Sequence, residues 1–100
     1  MIRIKVENEN NQIKMINIKG HADYADKGKD IVCSAVSSIV ITTINGILSI
    51  DEDSIEYIDN SNNITMILTN DNEVTIKLLL NMVNLLKELE SDYPDNIKFI

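Results

Sequence analysis

Residues 30–46 read DIVCSAVSSIVITTING, and this stretch decides the fold. Asp30 can accept hydrogen bonds from first-turn N–H groups, so it predicts a helix start. Gly46 is a typical stop signal, so the predicted helix covers residues 31–45. No charge occurs over residues 31–50, and the side chains are apolar or small nearly all round, which predicts a largely buried helix. The hydroxyl, Asn and Gly residues within it argue against a membrane span.

Two predicted strands precede this helix. Apolar residues alternate with charged or polar ones over residues 2–7 and again toward residue 19, which is the period of a half-buried strand. The second strand covers residues 13–19. The polar residues 8–12 lie between the two strands, so the pair is predicted to form a hairpin with a loose turn.

Two further strands follow the acidic connection at residues 51–53. They cover residues 55–59 and 64–69, where β-branched residues alternate with polar ones. The run Asn-Ser-Asn-Asn at residues 60–63 is typical of a hairpin turn.

A second helix and a last strand complete the chain. Asn70 stands three residues before Glu73, which is the spacing of a capping box, and leucines at helical spacing then continue to about residue 91. Residues 97–100 form a last short strand. The order ββαββαβ predicts an α+β fold in two layers, with two helices on a mixed sheet, in a single domain over residues 1–100.

The second predicted helix is apolar on more than one side. One stripe consists of Leu78, Met82, Leu85 and Leu89, and a second consists of Leu79, Val83 and Leu86. One sheet face covers only one such stripe. The spare stripe is therefore expected to be exposed or to contact a partner.

The charge of the chain argues against a nucleic-acid binder. Nine Lys and Arg residues face sixteen Asp and Glu residues, which gives a net charge of −7. The basic residues are few and scattered along the sequence, whereas a phosphate-backbone binder needs a cationic face. An acidic domain suits a basic partner, and the charge also keeps a small domain soluble.

The cysteine count excludes two kinds of site. One Cys cannot form an internal disulfide or a Cys-based zinc site, so a reducing, cytoplasmic location is expected. A metal site built from His21, the nearby aspartates and Cys33 would mix hard and soft ligands on a loop, so no metal or other cofactor is predicted.

His21 and Cys33 are the only His and Cys in the chain, and they lie twelve residues apart. Cys33 is the third helical residue if Asp30 is the cap, and the helix N-terminus is expected to lower its pKa and favour a thiolate. A neutral imidazole nearby could take the thiol proton. The alternative reading is a small buried packing residue, which is the commonest role of a lone Cys in an apolar helix.

The residues around this pair resemble a known family. Gly20-His21-Ala22, an intervening loop and then residues 30–37, DIVCSAVS, resemble the two-part motif of the ribosomal-processing cysteine protease Prp family. Gly28 also matches that pattern. The family usually has Ala directly after the Cys, where this chain has Ser34, and Ser is nearly as small.

The resemblance implies a cysteine endopeptidase that removes the N-terminal extension of large-subunit ribosomal protein twenty-seven. It assigns Cys33 as nucleophile and His21 as base. Asp30 matches a family Asp, which either orients His21 or only caps the helix, and Ser37 has a possible supporting role. The loop flanked by Gly20 and Gly28 is expected to gate the site.

The resemblance also implies a homodimer and a ribosomal-protein substrate, with no membrane and no direct nucleic-acid partner. The oxyanion hole is expected to consist of backbone N–H groups near the helix start. Two other functions remain open from the residues alone: a non-catalytic module that binds ribosomal protein, and a redox sensor that uses the thiol of Cys33.

Overall fold

A computed structural model describes all residues, 1–100, and confirms the predicted order of elements. The helices and strands are β1 (Ile2–Glu9), β2 (Gln12–Lys19), α1 (Ile31–Ile50), β3 (Ile55–Asp59), β4 (Asn63–Leu68), α2 (Glu73–Asp92) and β5 (Ile97–Phe99). The strands form one mixed sheet in the order β3-β4-β2-β1-β5. All neighbouring pairs are antiparallel except β1 and β5, which run parallel.

The alternation in the strands sorts their side chains between two faces of the sheet. Ile2 and Ile4 are buried on the face that carries the helices, whereas Arg3 and Lys5 are exposed on the other face. One core cluster of 19 buried residues joins the sheet to both helices and contains no aromatic side chain. The fold is therefore the predicted two-layer arrangement, with its uncovered sheet face open to solvent.

Both hairpin turns are tight, and the first differs from the predicted loose turn. Asn10 and Asn11 have φ angles of 54° and 62°, so a two-residue turn closes β1 and β2. Asn tolerates the left-handed region better than most residues, which explains the Asn pair. Ser61 and Asn62 also have positive φ angles in the β3–β4 turn.

α1 departs from the prediction in its length and in its burial. It continues through Gly46 to Ile50 because Ile47 packs into the core and the Asp51 N–H donates to the Ile47 carbonyl. The expectation of a largely buried helix was wrong, since only one side packs inward and Ile41 is 53% exposed. By length and composition alone α1 is long and apolar enough to cross a membrane.

α2 begins at a different cap from the predicted one. The side chain of Asn72, not Asn70, accepts the first-turn hydrogen bonds, from the N–H groups of Val74 and Thr75. Its buried residues are Thr75, Leu79, Met82, Val83 and Leu86. Leu78 and Leu89 are half-buried and Leu85 is exposed, so the spare stripe is partly uncovered, as the two-stripe pattern predicted.

Candidate active site

The loop between β2 and α1 begins at a glycine that no other residue can replace without strain. Gly20 has a φ of 101°, and a Cβ at this position would lie 2.5 Å from the Met1 carbonyl oxygen. Its N–H donates to the Asn62 carbonyl at 2.8 Å. The loop therefore leaves the sheet in a fixed direction, between the N-terminus and the β3–β4 turn.

The next residues bring the loop to the thiol. Ala22 is fully buried, and its N–H donates to the Cys33 sulfur, with 3.3 Å between N and Sγ. Its carbonyl accepts a hydrogen bond of 3.0 Å from the Asn96 side chain. The peptide groups on both sides of Ala22 are thus tied to structure at opposite ends of the chain.

Asp30 is 9% exposed and organises both the helix and the loop. Its Oδ1 accepts from the N–H groups of Val32 and Cys33, at 3.0 and 2.9 Å. Its Oδ2 accepts from the N–H groups of Tyr24 and Ala25, at 3.0 and 3.4 Å. These backbone donors, above all Cys33 N–H, lower the pKa of the Asp30 carboxyl.

These bonds distinguish the two roles considered for Asp30, which were to orient His21 or only to cap the helix. Both carboxylate oxygens bind backbone N–H groups, and neither forms a hydrogen bond with His21. Asp30 is the N-cap of α1 and does not orient the imidazole in this structure. Because Oδ1 already takes the Val32 and Cys33 N–H groups, these donors are not free to form the expected oxyanion hole.

The structure corrects the expectation that the helix start lowers the pKa of Cys33. Partial burial of the thiol raises its pKa, the Ala22 N–H opposes this increase, and the negative charge of Asp30 adds to it. The helix amides that would stabilise a thiolate donate to the cap carboxylate instead. The surroundings of Cys33 therefore favour the neutral thiol over the thiolate.

The predicted site residues line one open cleft of about 600 Å³. They are Gly20, His21, Gly28, Asp30, Cys33 and Ser37. His21 and Ser37 are exposed, and neither side chain forms a hydrogen bond within the protein. Gly28 has a φ of 88° with no atom within 4 Å of its Cβ position, so this end of the loop is free of close packing.

The walls of the cleft combine apolar and acidic groups. Six branched aliphatic residues line it, namely Ile2, Ile18, Val36, Val40, Ile41 and Ile64. Asp23, Asp30 and Asp59 also line it, and Lys27 is the only Lys or Arg in the lining. Asp23 is paired with the N-terminal ammonium group at 2.9 Å, whereas Asp59 forms no ion pair. The cleft thus offers apolar surface for a side chain and negative charge for a basic segment. No group of His, Cys, Asp and Glu side chains converges to hold a metal ion.

Several residues that hold the site were not identified from the sequence. Asn96 lies 74 residues from the Ala22 carbonyl that it binds, and the rings of Tyr24 and Tyr93 pack edge to face at 5.5 Å. These contacts attach the loop to the end of α2 and to the segment before β5. No local spacing predicts them. The Gly-His-Ala motif was the only signal for Ala22.

Comparisons with known proteins identify the family. A family model described as cysteine protease Prp matches residues 1–98. The ribosomal processing cysteine protease Prp of Staphylococcus aureus is 30% identical over 95 residues, which cover 91% of this chain and 89% of that protein. Its counterpart in Mycoplasma genitalium is 48% identical over 42 residues, which cover 42% of this chain and 39% of that protein.

A solved structure agrees with these sequence matches. The crystal structure of an essential ribosomal processing protease Prp from S. aureus, in complex with a covalently linked product peptide, has a TM-score of 0.89 and 26% identity to this chain. The match covers 99% of this chain and 97% of that one. This chain, a cysteine protease, therefore belongs to the ribosomal processing cysteine protease Prp family.

Proposed function

We propose that this protein removes the N-terminal extension of large-subunit ribosomal protein twenty-seven, with Cys33 as nucleophile and His21 as general base. One observation carries the proposal. The only thiol and the only imidazole of the chain line the same open cleft, and a backbone N–H contacts the sulfur there. A thiol and an imidazole that face one substrate-sized cleft suit acyl transfer.

The first step forms a thioester. His21 takes the proton of Cys33 as the sulfur attacks the carbonyl carbon of the scissile peptide bond. The tetrahedral intermediate then collapses, His21 gives the proton to the leaving nitrogen, and the downstream peptide departs as an amine. Because burial and Asp30 raise the pKa of Cys33, the resting thiolate is disfavoured and the attack depends on a base such as His21.

The second step releases the extension. Water attacks the thioester carbonyl while His21 takes a proton from it, and collapse returns the thiol and yields a peptide with a free carboxylate. In both steps the carbonyl oxygen becomes negative. The Ala22 N–H is a backbone donor already held at the sulfur, so it can donate to this oxygen once the carbonyl carbon bonds to Sγ.

The charges of the cleft support a basic substrate segment. Asp59 lines the cleft without an ion-pair partner, whereas Asp23 is already paired with the N-terminal ammonium group, and the chain has a net charge of −7. A Lys-rich ribosomal-protein tail is attracted to such a surface, and this attraction weakens as salt rises. The S. aureus relative that binds a covalently linked product peptide supports a peptide in this cleft.

The loop between Gly20 and Gly28 is proposed to move when substrate enters. Oδ2 of Asp30 holds the Tyr24 and Ala25 N–H groups, whereas no atom outside the neighbouring residues lies within 4 Å of the Cβ position of Gly28. Rotation at Gly28 would open the cleft without breaking the cap of α1, because Oδ1 makes the cap bonds separately.

The protein is further proposed to act as a cytoplasmic homodimer. The free thiol of Cys33 suits a reducing compartment. Exposed aliphatic side chains outside the cleft, such as Ile50 of α1 and Leu80 of α2, leave apolar surface that a second copy can cover. Light scattering at micromolar concentration tests this assignment, and the mass of a monomer would contradict it.

The decisive experiment is incubation of the protein with the extended ribosomal protein, followed by mass spectrometry of the fragments. Cleavage at one position is expected for the wild type and for Ser38→Ala, an exposed α1 residue outside the cleft. Cys33→Ser should give no fragment while retaining the thermal transition. Fragments from Cys33→Ser would reject the nucleophile, whereas an intact substrate with wild-type protein would reject the substrate.

A further inference from the structure

The uncovered face of the sheet gathers basic residues that are far apart in the sequence, so the scatter that argued against a nucleic-acid partner does not hold on this face. Arg3 of β1 pairs with Lys19 of β2 on one side and with Lys98 of β5 on the other. Side chains directly opposite each other on neighbouring strands point to the same face. Three positive charges therefore form one row across three adjacent strands, with strand spacings of about 4.8 Å. We refer to Lys19, Arg3 and Lys98 as the basic row.

The basic row has no counter-charge of its own. All three side chains are exposed, and none forms an ion pair or a hydrogen bond with another protein group. Like charges directly opposite each other destabilise a sheet. The other ninety-seven residues together carry −10, since the chain's −7 includes these three positive charges. The row is thus a local positive site on an otherwise acidic molecule.

We propose that the basic row binds the phosphate backbone of a single-stranded nucleic acid, for which an RNA oligonucleotide serves as the probe. The guanidinium of Arg3 presents a planar set of donors that matches a phosphate, and the flanking lysines supply charge to its neighbours. Asn63 lies opposite Lys19, and its side-chain oxygen accepts a hydrogen bond from Asn17 at 2.7 Å, so its NH2 group is left to extend the row. Lysine, arginine and amide side chains are the usual donors to nucleic-acid phosphates.

The composition of the basic row favours a nucleic acid over an acidic protein. Protein interfaces have a core that is depleted in charge and rich in apolar or aromatic side chains, and the row contains neither. It also has no aromatic ring on which a base could stack, so the contact is sequence-independent. This surface is separate from the cleft, which is lined by residues of the opposite sheet face such as Ile18 and Ile64.

The test is fluorescence anisotropy with a short labelled oligouridylate between about 50 and 200 mM salt, where phosphate contacts lose affinity steeply. Three contacts to a single strand predict a slope of about −2 for log K against log salt concentration. The triple variant Arg3→Gln/Lys19→Gln/Lys98→Gln should lose this binding. The matched control Lys27→Gln/Lys29→Gln/Lys77→Gln removes the same charge elsewhere and should retain the slope.

Three results would overturn the proposal. They are no binding by the wild type, equal loss of binding in both triple variants, and equally tight binding of polyglutamate with the same number of charges. The last result would assign the basic row to an acidic protein instead. Thermal melts show that each variant is folded, and relief of the like-charge pairs should raise the Tm of the row variant above that of the control.

Discussion

Each of the two helices has 20 residues and begins at a side chain that caps the second and third N–H groups. At α1 the cap is Asp30 and the third residue is Cys33, whereas at α2 the cap is Asn72 and the third residue is Thr75. The backbone geometry of the two helix starts is therefore the same. Their surroundings and the charges of their caps differ.

The start of α2 is closed and fully hydrogen-bonded. Thr75 is 1% exposed, and its hydroxyl donates to Ser54 at 2.7 Å, while Ser54 donates to the Asp51 carbonyl at 2.8 Å. The start of α1 instead opens onto the cleft, with Cys33 only partly buried. A capped helix start fixes the position of its third side chain, and the surroundings decide whether that side chain is closed off, like Thr75, or borders a cleft, like Cys33.

The largest expected effect comes from removing the proposed base, His21, beside the start of α1. His21→Ala should lower kcat/KM by about 10²- to 10⁴-fold, which is typical of a general base. Because the pKa of Cys33 is raised, alkylation of the thiol at pH 7 should also slow. Cleavage assays and iodoacetamide kinetics measure both. Partial recovery of cleavage with added imidazole would confirm the role, and unchanged rates in both assays would make His21 structural.

At the closed helix start, Thr75→Val should destabilise the protein by about 1 kcal/mol, because the shape is kept while one buried hydrogen bond is lost. Ser54 still donates to Asp51, so only an acceptor site is left unfilled. Chemical denaturation measures the loss. Thr42→Val, on the exposed side of α1, is the matched control and should change the stability little. Equal losses in both variants would mean that the Thr75–Ser54 bond contributes nothing.

The sequence predicts these helix starts unequally. Asp30 was identified as a cap because capping depends on the next three residues, and the strands were identified from a local period of two. Asn70 was predicted as the cap of α2 instead of Asn72 because either residue can cap a helix that starts nearby. The choice depends on the burial of Thr75, whose N–H donates to Asn72. The raised pKa of Cys33 was also missed, since it depends on burial and on a carboxylate that competes for the same N–H groups.

The charged cap of α1, Asp30, and the neutral cap of α2, Asn72, can each be replaced by the other residue type. Asp30→Asn retains an oxygen for the Val32 and Cys33 N–H groups and removes the negative charge beside the thiol. The pKa of Cys33 should fall, so alkylation at pH 7 should become faster. Asn72→Asp is the matched control at α2 and should leave thiol reactivity unchanged. Slower alkylation in Asp30→Asn would mean that loss of the Tyr24 and Ala25 bonds outweighs the charge.

Asp30→Asn also tests how much the cap of α1 contributes to the stability of the protein at acidic pH. The pKa of Asp30 lies below its ordinary value of 3.8, so the folded state binds the proton less tightly than the unfolded chain does. The stability that Asp30 contributes is complete above that ordinary value and decreases as pH falls toward the lowered pKa. Asp30→Asn should therefore show a weaker loss of stability below pH 3.8 than the wild type. Parallel denaturation curves at several acidic pH values would contradict this.

The smallest effect concerns a difference within the helices themselves, since α1 contains Gly46 in its interior and α2 contains no glycine. Glycine in a helix interior costs about 0.5–1 kcal/mol relative to alanine, and a Cβ at Gly46 would meet no atom within 4 Å. Gly46→Ala should therefore raise the Tm by a few degrees. Gly20→Ala is the contrasting variant and should lower it, because Gly20 has a positive φ and lies against Met1. If Gly46→Ala lowers the Tm instead, another molecule must contact this side of α1 in solution, and a second copy of the chain is the first occupant to test.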